Sequence, residues 1–303
     1  MGADHPESPE RLSAIDDRLL ITGVADALVA VNAPMALAED LLLAHTAAHV
    51  QRMQGLAVNL LSQAKALSGM DFYDIDPDTR MNPHTLQAAM RSAGAALAAV
   101  DAVMTGQLAN AFCATRPPGH HAKRDQAMGF CFFSNVALAA RYAQVVHGVQ
   151  RVAIVDFDVH HGNGTQDVVQ GVSGIEMFSF FQHPFYPYGE PFDGSANLHN
   201  TPVAAYTKGD TIKDLVNEQW LPRLHAFAPQ LVLISAGFDA HRDDDLGQMG
   251  LVEADYAWIT QQLVDVARAH AQGRIVSCLE GGYELRALAN SVEAHIRVLA
   301  DLA

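Results

Sequence analysis

The chain of 303 residues has only three cysteines, Cys113, Cys131 and Cys278, and no two of them form a C-x-x-C pair. So few scattered thiols do not indicate a disulfide framework, and a reducing cytoplasmic setting is expected. Basic residues are also scarce: 19 lysines and arginines against 34 acids give a formal charge of -15. A surface of that sign repels phosphate backbones, so direct nucleic-acid binding is not expected. Long apolar runs are absent too; no stretch approaches the roughly 18 residues that a spanning helix needs. Met1-Gly2-Ala3-Asp4-His5-Pro6-Glu7 carries neither a basic nor an apolar leader region, so neither export nor membrane insertion is expected. Without repeats, low-complexity tracts or linker-like boundaries, the reading is one domain over residues 1–303. No G-x-S-x-G elbow is present, which makes Ser-His-Asp chemistry a poor fit. Gly162-Asn163-Gly164 lacks the rest of any phosphate or dinucleotide fingerprint.

What is present suits a globular enzyme: 50% of the residues are hydrophobic and 17% charged, enough for a sizeable core. The first part of the chain reads as helical. Ser8-Pro9-Glu10 predicts a helix with an N-cap serine and a proline at its first position. Helical spacing continues over 39–67, where His45 and His49 form an i, i+4 pair but Thr46 stands where a metalloprotease glutamate would be, so a structural role is expected. The stretch 71–79 reads as a turn-rich acidic loop, and His84 to Met104 as an alanine-rich helix.

From Ala111 onward strands alternate with helices. Strands are expected at 111–114, from 151 into the run that ends at Asp156, and at 175–181, 231–235 and 275–278, and helices at 135–147 (capped by Ser134), 165–170, 212–227 and 253–270, with a terminal helix and a long loop over 182–201. This rhythm predicts right-handed crossovers and a three-layer αβα architecture around a mainly parallel sheet. Arg151-Val152-Ala153-Ile154-Val155 is the most telling strand, since its buried-strand run ends abruptly in Asp156-Phe157-Asp158-Val159-His160-His161. Alternation puts Asp156, Asp158 and His160 on one side, at the strand end where α/β sheets bind ligands.

Four polar clusters terminate predicted strands: Gly119-His120-His121, Asp156 to His161, Asp239, and Gly281-Gly282-Tyr283. A parallel sheet brings them to one rim. Alone, each has a bland reading, as a helix cap, a surface pair or a turn residue; together they make a constellation. Asp158, His160 and Asp239 provide three ligands and an open position, the pattern of a catalytic metal. Zinc suits the set, and ferrous iron accepts it as well. His120 and His121 are a candidate general base and general acid, with His121 expected to protonate the leaving amine; Asp156 can hold one ring and Asn163 the other, and the charged partner favours imidazolium more than the neutral one does. Tyr283 can donate its hydroxyl to a carbonyl oxygen. Phe130, Tyr186 and Leu246 are candidates for the wall of a narrow apolar channel.

The motifs Arg116-Pro117-Pro118-Gly119-His120-His121, Gly129-Phe130-Cys131-Phe132-Phe133-Ser134-Asn135, Asp156 to Gln166, Ser235-Ala236-Gly237-Phe238-Asp239-Ala240 and Leu279-Glu280-Gly281-Gly282-Tyr283 resemble, in this order, those of the zinc-dependent histone deacetylases. The likeness is closest to the class II branch and its bacterial amidohydrolases, with Asn163 where class I members carry aspartate. It implies an arginase-deacetylase fold and hydrolysis of an acyl-amide, typically acetyl-lysine. It also implies zinc at Asp158, His160 and Asp239, catalytic roles for His120, His121, Tyr283, Asp156 and Asn163, and a tunnel lined by Gly129, Phe130, Tyr186 and Leu246. A structural potassium would use Asp156, Asp158, His160, Ser179 and Phe180. Asp76 or Asp78 matches a rim aspartate that grips the substrate backbone. Relatives have a strand before the segment that opens this chain, so either the start is truncated or mis-assigned, or the sheet lacks its first strand. The substrate is expected to be an acylated lysine peptide or a small acylated amine. An acetylpolyamine hydrolase and a weakly active acyl-lysine-binding protein stay open as alternatives, as does assembly into a homo-oligomer; Leu246, where polyamine-selective relatives can carry an acid, argues against polyamines.

Overall fold

Continuous apolar strands have two faces to bury, and here helices cover both. The structure is a computed structural model of the chain and describes residues 1–2, 4–66, 72–189 and 194–302. The N-terminal part holds α1 (Glu10–Ile21), a 3-10 turn (Val24–Ala27), α2 (Ala38–Leu41), α3 (Ala47–Ala66), a two-stranded hairpin of β1 (Tyr73–Asp74) and β2 (Arg80–Met81), and α4 (Thr85–Met104). Then come β3 (Asn110–Cys113), α5 (Asn135–His147), β4 (Val152–Asp156), α6 (Asn163–Val169), β5 (Ile175–Gln182) and β6 (Leu198–Val203). The chain continues through α7 (Gly209–Leu215), a π-helical segment (Val216–Trp220) and α8 (Leu221–Phe227) to β7 (Leu231–Ala236), α9 (Glu253–His270), β8 (Ile275–Leu279) and α10 (Leu285–Leu299).

Strands β3 to β8 form one sheet in the order β3-β8-β7-β4-β5-β6, every pair parallel. The chain moves outward one way from β4 to β5 and β6, and the other way from β7 to β8. The crevice at the carboxyl ends of β4 and β7 is therefore the topological switch point, where such sheets bind ligands. Among the described residues no strand of this sheet precedes β3.

Alternation along β4 divides the core. Val152 and Ile154 enter the cluster formed with α4 and α5, whereas Ala153 and Val155 face the cluster built with α9 and α10. Ile154 is fully buried, so Ile154→Ala would cost about 2–5 kcal/mol through lost transfer energy and the cavity left behind.

Several boundaries differ from the sequence reading. Pro9, not Ser8, is the N-cap of α1, and no side chain caps that end. The expected helix over 39–67 is interrupted between α2 and α3, because His45 and Thr46 turn toward the 123–134 loop: His45 Nδ1 donates to the Lys123 carbonyl at 2.9 Å and Thr46 N to the Arg124 carbonyl at 2.8 Å. Residue 67 lies outside the described residues, as does residue 71 of the acidic loop, whose remainder folds into the β1/β2 hairpin. Strand β6 falls largely inside the expected 182–201 loop; Pro202 and the polar His199-Asn200-Thr201 fit an edge strand, which needs no full set of donors. Ser134 does precede α5 but makes no capping hydrogen bond; its backbone N–H donates to His45 Nε2 at 2.9 Å.

Candidate active site

Strand β4 ends at Asp156, and the chain then turns so that Phe157 and Val159 enter the core while Asp158 and His160 face the crevice. From the end of β7, Asp239 arrives opposite them. Asp158, His160 and Asp239 place ligand atoms within 4.8 Å of one another. Their backbones are interlocked: Val159 N–H donates to Asp239 Oδ1 at 2.9 Å, and Gly281 N–H to Asp158 Oδ2 at 2.8 Å. These bonds aim both carboxylates; Asp158 Oδ1 also accepts the His160 backbone N–H at 2.9 Å, and Asp239 Oδ2 is left for a shared partner. A Cβ on Gly281 would lie 2.0 Å from Asp239 Oδ2 and one on Gly237 2.0 Å from Asp158 Oδ2, so both glycines are required by close approach.

The triad fits a divalent cation. His160 Nδ1 directs its N–H at Asp158 Oδ1, 3.0 Å away, and although Asp239 Oδ2 lies 3.2 Å from the same nitrogen, no donor is aligned on this fully buried oxygen. Burial and the neighbouring Asp158 charge push the Asp239 carboxyl up to about 7. A buried carboxylate facing another is a cost that a cation removes.

The histidine doublet follows β3 and stands beside this triad. His120 Nδ1 donates to Asp156 Oδ2 at 3.1 Å, and its Nε2 lies 3.8 Å from Asp158 Oδ2. His121 Nδ1 donates to Asn163 Oδ1 at 2.7 Å, and the two rings are 4.0 Å apart. Burial opposes charge on His120, but Asp158 and Asp156, with Glu280 behind them, outweigh it and hold its pKa well above the ordinary value. His121 is equally buried and faces His120 and His160, which press its pKa well below. The surroundings thus favour charge on the His120 ring and disfavour it on the His121 ring.

The expected wall residues are distributed unevenly. Gly129 and Phe130 both adopt left-handed backbone, with φ of 55° and 68°. Thr79 Oγ1 accepts the Phe130 N–H at 3.0 Å, and the Phe130 ring stands edge-on to His5 at 4.6 Å and to Tyr283 at 5.9 Å. Tyr186 is edge-on to His121 at 5.1 Å and to His160 at 6.0 Å. Leu246 is half-buried on the loop after Asp239, linked to the tyrosine turn through Asp244, whose carboxylate accepts the N–H of Leu246, Tyr283 and Glu284. Of the rim acids, Asp76 Oδ1 is engaged by Thr79 N–H at 2.6 Å; burial, with Asp76 beside it, raises the Asp78 carboxyl to about 6. The residues expected around potassium lie together: Asp156 and Ser179 are register partners, Asp158 N–H donates to Asp156 Oδ1 at 3.1 Å, and Phe180 follows Ser179 in β5. Among the described residues His45 and His49 bind no acid; they brace Lys123, Phe132 and Ser134, as a structural pair.

Several contributors escaped sequence reasoning. Phe185 stacks on His160 at 5.4 Å. Arg11, fully buried, donates to the carbonyls of Gly282 and Glu280 at 2.6 and 2.5 Å and lies 4.9 Å above the Tyr283 ring. Glu280 and Asp244 bind backbone N–H groups of other loops. The available signal was a carboxylate or guanidinium beside apolar positions, which has no spacing rule of its own.

A parallel sheet that gathers an Asp-His-Asp triad, a histidine doublet and a tyrosine at its switch point has the architecture of the arginase-deacetylase α/β fold. The chain belongs to the histone deacetylase family: the family profile described as histone deacetylase domain matches residues 5–299. It is 38% identical over 289 residues to the histone deacetylase-like amidohydrolase of Pseudomonas aeruginosa, covering 93% of this chain and 73% of that protein. It is 35% identical over 314 residues to the polyamine deacetylase HDAC10 of Homo sapiens, covering 97% of this chain and 44% of that protein. The solved structure of the HDA15 HD domain superposes with a TM-score of 0.90 at 34% identity, over 99% of this chain and 83% of that one. Among the described residues, no helix is long and apolar enough to cross a membrane.

Proposed function

We propose that the chain is a zinc-dependent amidohydrolase that removes acetyl or other short acyl groups from a primary amine, with acyl-lysine in a peptide as the preferred substrate. The observation that carries this is the arrival of Asp158, His160 and Asp239 at one point beside two buried histidines of opposite charge preference. A divalent ion on the triad supplies Lewis acidity toward the acyl oxygen. His121, neutral, accepts a proton from the attacking water; the water oxygen bonds to the acyl carbon, and the tetrahedral species places negative charge on the former carbonyl oxygen. Tyr283 offers a hydroxyl donor to that oxygen, and the His120 imidazolium, braced by Asp156, adds positive charge nearby. The C–N bond then breaks as His121 returns the proton to the leaving nitrogen, giving an amine and a carboxylate. Potassium at Asp156, Asp158, His160, Ser179 and Phe180 would hold the base of this arrangement.

Zinc is favoured over ferrous iron only as the commoner occupant of such sites, and metal reconstitution distinguishes them. A polyamine substrate is the second reading, supported by the likeness to HDAC10, a named polyamine deacetylase; the apolar Leu246 offers no carboxylate for a second ammonium group. The test is turnover of acetyl-lysine peptides and acetylated polyamines by zinc-loaded protein, before and after chelation, with His121→Ala in parallel. Chelator-sensitive turnover that the variant loses is expected. Full turnover by His121→Ala, or indifference to chelation, would refute the proposal.

A further inference from the structure

Glu280 is completely buried, and its only part in the chemistry above is a lesser share, behind Asp158 and Asp156, in favouring charge on His120. Its carboxylate nevertheless reaches the turn that carries the histidines. Oε2 accepts the N–H of Gly119 at 2.6 Å and that of His120 at 3.1 Å, while Oε1 accepts the Ser235 hydroxyl at 3.2 Å. The backbone of Glu280 is itself fixed: its N–H donates to the Ala236 carbonyl at 2.9 Å and its carbonyl accepts Arg11 Nη2 at 2.5 Å. One residue later, Gly281 N–H holds the metal-site carboxylate of Asp158.

The sheet explains why such a link is needed. The ladder between β3 and β8 ends at the Cys113–Cys278 pair, beyond which the two strands diverge into the histidine turn and the tyrosine turn. The side chain of Glu280 rejoins them across the divergence, one oxygen accepting two backbone N–H groups of the histidine turn. The turn also has little lateral room, since a Cβ on Gly119 would lie 2.5 Å from the Asn135 nitrogen.

We infer that Glu280 is a positioning residue, a buried strut that sets the placement of the His120–His121 turn relative to the Asp158 carboxylate and Tyr283. The inference rests on the amidohydrolase reading for its kinetic consequence, but not for its structural one. Glutamine preserves the strut, because its amide oxygen can accept both N–H groups while its NH2 donates to the Ser235 hydroxyl. Alanine removes it, and aspartate is one methylene too short.

The experiment compares Glu280→Ala, Glu280→Gln and Glu280→Asp as zinc-loaded proteins on an acetyl-lysine peptide, with bound metal measured. Misplacing reacting groups by about 1 Å costs roughly 100-fold in rate, so Glu280→Ala should lose about that factor in kcat with KM and metal content nearly unchanged. Glu280→Gln should recover most of the loss and Glu280→Asp little of it. In parallel, the imidazole C2–H resonances of His120 and His121 are recorded by NMR on metal-free protein; they should move in the alanine and aspartate variants and return in the glutamine variant. Equal loss in alanine and glutamine would mean charge rather than placement and would overturn the inference, as would wild-type kcat in alanine or loss that tracks missing metal. If the alanine variant does not fold, the glutamine and aspartate pair decides, and equal activity overturns the idea. If the unaltered protein hydrolyses no acylamine, the functional reading fails while the NMR comparison still decides the strut.

Discussion

Gly281→Ala is the substitution for which the structure sets the largest effect from the smallest change. An added methyl carbon would sit 2.0 Å from Asp239 Oδ2 and 2.6 Å from Asp158 Oδ2, both fully buried carboxylates of the proposed metal triad. Ordinary contact distances require those oxygens to retreat by about 1 Å, whereas a metal site tolerates ligand distances only within about 0.2 Å. Gly281 is not among the glycines with positive φ, so alanine meets no backbone penalty and the effect comes from crowding alone. Disturbing groups one step removed from a metal already costs about 10–100-fold in affinity, so moving two ligands should weaken zinc binding by at least about 100-fold, or about 2.7 kcal/mol. Competitive titration against a chromophoric chelator measures the constant directly, and turnover at saturating zinc shows whether metal restores activity. Gly55→Ala, where a Cβ meets nothing within 4 Å, is the control and should leave zinc affinity unchanged. Zinc affinity within about threefold of the original protein in Gly281→Ala would refute the steric account and the assignment of these carboxylates as ligands.

Asn163→Asp places a carboxylate against His121 Nδ1, at the 2.7 Å contact now made by an amide. The His121 pKa should rise, so the neutral form needed for proton acceptance is lost earlier on acidification and the acid limb of kcat/KM moves to higher pH; an unmoved limb would contradict the base assignment. Thr79→Val removes the acceptor of the Phe130 N–H, freeing a residue held at a left-handed φ of 68°. KM should rise about three- to tenfold with kcat nearly unchanged, since the lost hydrogen bond of about 1 kcal/mol shapes the wall rather than the reacting groups. Burial lowers His295 to about 3 and His45 to about 4, below the ordinary 6.5. The unfolded chain therefore takes up protons first as pH falls, so the stability of the neutral pair is full above about 6.5 and should drop by about 2 kcal/mol per histidine between about pH 7 and 5. Calorimetric Tm against pH measures this, and a His295→Gln variant should show a shallower slope.

What the sequence makes legible follows from what kind of contact is involved. Strands β4, β7 and β8 are buried on both faces, so their apolar runs announce them, and polar residues at their ends point to the rim. Asp158, His160 and Asp239 were readable because a parallel sheet converts separate strand tips into one place. β6 was not readable, since an edge strand such as Leu198–Val203 can be polar and contain proline. Nor was the break between α2 and α3, whose cause is a loop far along the chain that captures His45 and Thr46. Glu280, Asp244 and Arg11 stayed hidden for a similar reason. Their partners are backbone groups of remote turns, and a backbone amide has no residue identity to leave a pattern.

The strand order has a consequence for how the protein fails. The proposed metal ligands spring from β4 and β7, interior strands whose residues are all buried, while the histidine doublet hangs from β3, a four-residue strand at the sheet's margin with mostly half-buried side chains. Marginal strands open at lower free energy than interior ones. Gentle denaturant should therefore silence turnover while zinc is still held, leaving a population of inert, metal-bearing molecules that revive on dilution without any need for fresh zinc.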